Sequence, residues 1–389
     1  MEESKVKRYP IIWKWLAVGI ILLFVGTCTI PSVTSEQIRG KTVITVDDEP
    51  GDADYTSIQE ALNHSVPGDT IEVYSGTYYE DRIIVYKRGI TIKGIAQELA
   101  GGNDTGRPIM NMTLHKNIFN VRSDDVTITN FVMIDPPPHN VINELIRVWG
   151  DNSTVSNNDF YGGFTAIYVG GDEYYPGHHP VETHIIENTI NHTRTGVYLD
   201  GPEGNISYNR FHECIYRAIR IWDGSNTSII THNIMSNCST GIEYANGSDT
   251  IISYNVITSC WTGIELGAHP AENISVLLNE FSTCSRGISM GIDRDMVQVQ
   301  QNNFMNNTKD IRFVQLYPLK YNVFFHRVFD GNYYDSWQGT GPHRIWGAAV
   351  IFVIPIFLPE FFISIPIWIP WVYRDLNPAQ EPYDISGMT

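Results

Sequence analysis

Few stretches of this chain bring acid, base or metal-ligating side chains together. Asp293-Arg294-Asp295 is the densest local set, two carboxylates around a guanidinium, of the kind a polysaccharide hydrolase or lyase uses. The same pattern suits a solvated turn between strands, and that is the plainer reading. Glu243 and Glu265 offer a second carboxylate pair, in the related phrases TGIEY and TGIEL. Stacked one above the other they would repel, which points to a bound cation, a raised pKa or a functional pair. Asp47, Asp48, Glu49, Asp52 and Asp54 supply hard oxygen ligands suited to calcium, although a charged run more often faces solvent. His178 and His179, with His184 nearby, have the ligand chemistry for copper or zinc, yet loop histidines are mostly plain surface residues. No cofactor is expected, calcium stays open, and copper is disfavoured.

Positioning these residues falls to a repeat. An Asn before an apolar pair recurs at Asn158, Asn188, Asn209, Asn233, Asn255, Asn279 and Asn302, with spacings of 30, 21, 24, 22, 24 and 23. Eight or nine residues on, a small residue precedes an aliphatic one, as in Ala166-Ile167, Gly241-Ile242 and Gly263-Ile264; Asp310-Ile311 takes that place in the last copy. A period in the low twenties signals a solenoid. The apolar runs are short and alternate with period two, and no helical periodicity appears in the repeats. That excludes helical solenoids and predicts a parallel β-helix, with about 4.8 Å between coils.

Reading the copies as columns predicts the interior. Ile167, Val197, Ile219, Ile242, Ile264, Ile288 and Ile311 form one inward ladder, and Val169, Leu199, Ile221, Tyr244, Leu266, Met290 and Phe313 a second. Ile185, Ile206, Ile230, Ile252, Val276 and Val299 form a third, and the aligned Asn residues a turn ladder. Cys214, Cys238, Cys260 and Cys284 each follow an aligned Asn by five residues. Side chains in one column point the same way and do not converge on a tetrahedral metal. Free buried thiols are expected first, vertical disulfides second and metal last.

Between the inward ladders an outward column is expected: Tyr168, Tyr198, Arg220, Glu243, Glu265, Ser289 and Arg312, flanked by Asp200, Trp222 and Asp223. Aromatics beside carboxylates and an arginine suit a glycan groove, with ring faces for sugar C–H surfaces and polar tips for hydroxyls. Tyr168, Tyr198, Arg220, Trp222, Asp223, Glu243 and Glu265 are therefore the candidate binding residues. The rival is simple cross-strand pairing, Arg220 above Glu243 being a favourable pair.

A solenoid needs caps. Residues 54–65 read as a short amphipathic helix with Thr56 and Gln59 as capping box and Ile58, Ala61 and Leu62 on one face. Residues 43–330 are assigned to the β-helix, with regular repeats over 158–315. Residues 331–389 form a C-terminal cap with a Pro-rich apolar segment over 345–373. Extended segments covering the last coil come first for that segment, a surface against a membrane or partner second, a spanning helix third.

The first 35 residues have a basic start (Lys5, Lys7, Arg8, Lys14) and the apolar run WLAVGIILLFV, which reads as a signal peptide or a membrane anchor helix. Lipidation of Cys28 is a third option, poorly served by Thr27 before it. All three place the rest outside the cytoplasm, at the cell surface. Eleven Asn-x-Ser/Thr sequons agree with a glycoprotein. With 26 Lys+Arg against 43 Asp+Glu, a formal net charge of −17, nucleic-acid binding is excluded as an expectation.

DYTSIQEAL followed by GDTIEVYSGTYYE and the Gly-Ile repeats resembles the right-handed, pectate-lyase-like β-helix proteins of the NosD-like and carbohydrate-binding/sugar-hydrolase (CASH) class. GNYYDSWQGTGP with NPAQEPYDI is similar to the close of archaeal envelope members, so the resemblance covers about residues 43–385. It implies an all-β, right-handed parallel β-helix. It also implies polysaccharide lyase or hydrolase activity in some members and, through the NosD association, a copper-maturation accessory in others. The Asn-Thr-Asp and Gly-His-Gly signatures of polygalacturonase-like enzymes are absent. The leading expectation is a membrane-tethered surface protein that binds glycans or cell-envelope components without catalysis.

Overall fold

The computed structural model describes residues 42–385 except 52, 100–101, 114–115, 137–142, 172–177, 223–224, 268–270, 292–296, 317–327 and 359–360. Asp52, Asp223, Asp293 and Asp295 lie outside the described residues, as do the export segment and Cys28.

One coil shows how the repeat folds. Strands Ile251–Ser253, Val256–Thr258 and Thr262–Leu266 join three separate sheets, and each pairs in parallel with its counterpart one coil before and one after. The three sheets hold twelve, eleven and twelve strands. The period of two puts Ile252, Ile257, Ile264 and Leu266 inside, all fully buried. The predicted ladders form in register, for example Val197 to Ile219 to Ile242 to Ile264 to Ile288. Burying each such side chain contributes about 1.5–3 kcal/mol. A fourth ladder, on the second sheet, runs Phe160, Ile190, Phe211, Met235, Ile257, Phe281, Phe304 and Tyr334. It explains the small-residue column: a Cβ on Gly263 would come within 2.6 Å of Phe281 and 2.4 Å of the Gly287 carbonyl.

Single residues with positive φ turn the corners. In this coil they are Asp249 (53°), Tyr254 (54°) and Ser259 (54°). Such a conformation costs a non-glycine residue about 1–2 kcal/mol, and the groups beside each corner offset it. After Tyr254, Asn255 is fully buried. Its Nδ2 donates to Ile230 O (2.9 Å), Ser253 O (3.0 Å) and Asn279 Oδ1 (2.9 Å), and its Oδ1 accepts from Asn233 N and Nδ2 (both 3.0 Å). The same pattern runs from Asn158 through Asn302 to Asn332. After Ser259 comes Cys260. Cys214, Cys238, Cys260 and Cys284 are free, buried thiols. The neighbouring Cys238 thiol and then burial push Cys260 up to about 12.

The N-terminal cap differs in detail from expectation. The helix spans Ile58–His64, and its N-cap is Ser57, whose Oγ accepts from Glu60 N (3.2 Å), not Thr56. Gln59 instead clasps strand Ile83–Val85, its Oε1 accepting from Ile84 N (2.6 Å). Glu80, from the following coil, accepts from Ile58 N (2.8 Å) and Gln59 N (3.1 Å) and so serves the helix end across the chain. At the other end, strands His343–Leu358 and Phe361–Asp375 form one antiparallel hairpin that continues the third sheet beyond Ile311–Leu316. The segment is extended; among the described residues no helix is long and apolar enough to cross a membrane. The hairpin base covers the last coil: Phe313 and Phe329 pack on Tyr373, and Tyr334 stacks on His343 with ring centroids 4.1 Å apart. Buried Asp375 ends the asparagine ladder, its Oδ2 accepting from Asn332 N and Nδ2 at 3.0 Å.

Candidate functional site

The outward column exists as expected. On the third sheet Arg147, Tyr168, Tyr198, Arg220, Glu243, Glu265, Ser289 and Arg312 occupy successive registers. Its first half is a stack of guanidinium and aromatic planes. Arg122 lies 4.3 Å over Trp149, Arg147 lies 5.4 Å over Trp149 and 4.8 Å over Tyr168, and Tyr168 stacks on Tyr198 at 5.1 Å. Arg220 lies 5.2 Å over Tyr198 and 4.2 Å over Trp222. The next coil places Ala245 beside Trp222, so the stack ends there. Tyr168 and Tyr198 therefore turn their faces to each other and to guanidiniums, not to solvent. Sugar C–H surfaces cannot use those faces, which corrects the expected mode of contact.

What the stack presents instead is donors. Arg147 Nε, Trp149 Nε1 and Arg220 Nε are buried and have no acceptor within hydrogen-bond distance. Buried donors without acceptors are costly and uncommon in folded proteins, so three on one face call for an oxygen-bearing ligand or solvent. Burial holds the phenols of Tyr168 and Tyr198 protonated, Tyr198 up to about 12. Both phenols thus keep a proton to donate.

The second half of the column is an ion-pair set. Glu243 pairs with Arg217, and Arg220 Nε lies 3.6 Å from Glu243 Oε1. Two guanidiniums relieve the stacking of Glu243 on exposed Glu265, so that stack needs no cation. Burial, then Arg220, lowers the Arg217 pKa. Strict alternation misses Arg217 because it would turn this residue inward. The strand departs from alternation at Ala218, which is buried beside buried Ile219 and leaves Arg217 outside.

The insertion returns against the same face. His179 Nδ1 lies 3.3 Å from Asp200 Oδ1 and 3.1 Å from Asp200 O. His178 Nε2 lies 3.0 Å from Trp149 O, and 3.7 Å from Asp151. The two imidazoles are held by separate partners, and His184 stands on the first sheet in strand His184–Ile186. The structure does not bring the three together.

A cleft of about 490 Å³ lies elsewhere, between the last coil and the hairpin, lined by Asp310, Arg312, Tyr334, His343, Arg344 and Trp346 among others. Burial pushes the Asp310 carboxyl up to about 6, against hydrogen bonds from Asn307 and Ser336 that lower it. Burial lowers the His343 pKa. Sequence reading missed this cleft because the hairpin that forms its wall has no repeat to align.

Comparison with known proteins fits the geometry. A family model described as "Right handed beta helix region" matches residues 176–317. No curated protein matches the chain. Among solved structures, the catalytic unit of a GH87 alpha-1,3-glucanase from Streptomyces thermodiastaticus strain HF3-3 is similar at 14% identity and TM-score 0.52, over 71% of this chain and 55% of that one. A complex of XylC with xylose is similar at 13% identity and TM-score 0.49, over 70% and 75%. The PL6 family polysaccharide lyase Pedsa3628 from Pseudopedobacter saltans is similar at 12% identity and TM-score 0.46, over 70% and 85%. At these identities the likeness speaks for the fold alone. The chain is an all-β, right-handed parallel β-helix with one helix among its described residues.

Proposed function

We propose that this is a surface-exposed β-helix protein of the NosD-like and CASH kind, tethered to the extracytoplasmic side of a membrane by residues 1–35, that binds glycans without cleaving them. One observation carries the reading: the buried donors Arg147 Nε, Trp149 Nε1 and Arg220 Nε, none with a hydrogen-bond acceptor and the last 3.6 Å from its ion-pair partner Glu243, set along one stacked face beside two phenols. Polysaccharides present many hydroxyl and ring oxygens at short intervals and suit such a row. Four coils separate Arg147 from Trp222 inclusively, about 14 Å along the axis, enough for a short oligosaccharide. The glucanase and lyase likenesses add the fold and nothing more.

A second reading, polysaccharide cleavage, draws on Asp310, a carboxyl that burial keeps protonated to about 6 in a cleft with Arg312 and His343. One screen tests both. A panel of neutral and acidic glycans is incubated with the full chain, and bound sugar and released ends are read in the same wells. Retention without new reducing or unsaturated ends is expected. Cleavage products lost in Asp310→Asn would replace the first reading with the second.

A further inference from the structure

At the opposite end of the solenoid, five carboxylates from two separate turns meet, and among the described residues no cationic side chain pairs with them. Asp47, Asp48 and Glu49 follow the first strand, Val43–Val46; Glu98 and Asp104 follow strand Thr91–Gly94. Ligand atoms of Asp47, Asp48 and Glu49 all lie within 4.8 Å of one another, and so do those of Glu49, Glu98 and Asp104. The two sets share Glu49. Among the described residues no Lys, Arg or His forms an ion pair with any of the five.

The local bonds leave one side of the cluster open. Asp47 is fully buried; its Oδ1 accepts from Asp48 N (3.1 Å), and its Oδ2 has no partner. Asp48 Oδ2 accepts from Thr77 N (3.0 Å), and its Oδ1 has none. Glu49 Oε2 and both oxygens of Glu98 are likewise buried and unpartnered. Two glycines make room for this: a Cβ on Gly76 would lie 2.0 Å from Asp48 Oδ1, and one on Gly102 would lie 2.4 Å from Glu98 Oε1. Asp54 is in neither set; its Oδ2 accepts from Thr45 N and Oγ1. Buried acceptors need donors or a cation, and like charges this close cannot all stay ionised unaided. Burial and then Glu98 push Asp47 up to about 6; contact with Asp48 and then burial push Glu49 up to about 7.

We propose that Asp47, Asp48, Glu49, Glu98 and Asp104 form a calcium site that ties the entry of the chain to the third coil. An all-oxygen, carboxylate-rich set is what a hard cation requires. Oxygens up to 4.8 Å apart match opposite ligands around calcium, each about 2.3–2.6 Å from the ion. The ion offsets two of the cluster's negative charges and fixes the turns on either side of the cap helix Ile58–His64. The site lies apart from the stacked face and does not depend on the glycan reading.

Terbium reports on the site. Tyr78 is buried nearby, its hydroxyl donating to Tyr74 O (2.9 Å), and the Asp47 and Asp48 charges raise its pKa after burial does. Excited at the tyrosine band, calcium-free full-length protein titrated with terbium should give a saturable emission that calcium displaces. Asp47→Asn and Glu98→Gln should weaken it at least tenfold, and Asp104→Asn, at an exposed position, should weaken it less. The thermal midpoint should rise with calcium in the parent and not in Asp47→Asn. No saturable emission, or emission equal in all three variants, would overturn the proposal. So would a midpoint that follows pH between 5 and 8 but ignores calcium, the mark of shared protons instead of a metal.

Discussion

Asn255 shows how much one side chain carries in this fold. Replacing it with Ala leaves Asn233 N without its acceptor in a buried corner, and removes the bonds from Asn233 Nδ2 and to the Ile230 and Ser253 carbonyls. A buried orphan costs about 1–3 kcal/mol and each other lost bond about 0.5–1.5 kcal/mol, so Asn255→Ala should lose about 3 kcal/mol or more, read from the urea midpoint. A loss within about 0.5 kcal/mol would mean that water replaces the ladder there. The asparagines were legible in the sequence because they recur in register. The corner residues before them were not: Tyr208, Tyr254 and Leu278 all take positive φ, and none is a type that signals a left-handed turn. Of the candidate site, Tyr168, Tyr198, Arg220 and Trp222 were legible from alternation. Arg147, Trp149 and Arg122 were not, since their coils lack the aligned Asn.

Elements in this protein are short, and their ends depend on distant groups. The cap helix takes one N-terminal acceptor from Ser57 and the others from Glu80, whose part no local capping pattern reveals. The hairpin likewise depends on Asp375, which accepts from Gly331 N and Asn332 N and Nδ2. Asp375→Ala should expose the last rung of the asparagine ladder. Removing the acceptor of two buried donors should destabilise the hairpin base by about 2–4 kcal/mol. Amide exchange should then speed up over 328–345 while the coils around 184–244 keep their protection. Uniform acceleration along the chain would show that the solenoid unfolds as one unit and not from its end. The hairpin itself was only partly legible. Recurrent prolines argued for extended chain over helix, but a chain with both faces apolar gives no period from which to read its pairing.

At the scale of the whole molecule, acidity has a direction. Asp310 binds its proton more tightly in the fold than in the unfolded chain, between the ordinary value of 3.8 and about 6. Its contribution is most favourable below that window and weakens as pH rises through it. Stability should therefore fall between pH 4 and 6.5 by less in Asp310→Asn than in the parent, in paired urea titrations at one fixed calcium concentration. An identical slope in the two would place the carboxyl at its ordinary value. The architecture was readable because a solenoid repeats its physics every coil; function was harder to read because the same repeats serve packing, and the chemistry sits where they break.

The most direct test of the account is calorimetric titration of the full-length protein with any oligosaccharide retained in the glycan screen, run beside Tyr198→Ala, Trp222→Ala and Arg220→Ala. Opening the guanidinium–aromatic stack should weaken binding about tenfold in each variant, each compared below its own thermal midpoint so that only folded protein is titrated. Binding of equal strength in all four proteins would contradict the assignment of this face as the glycan site.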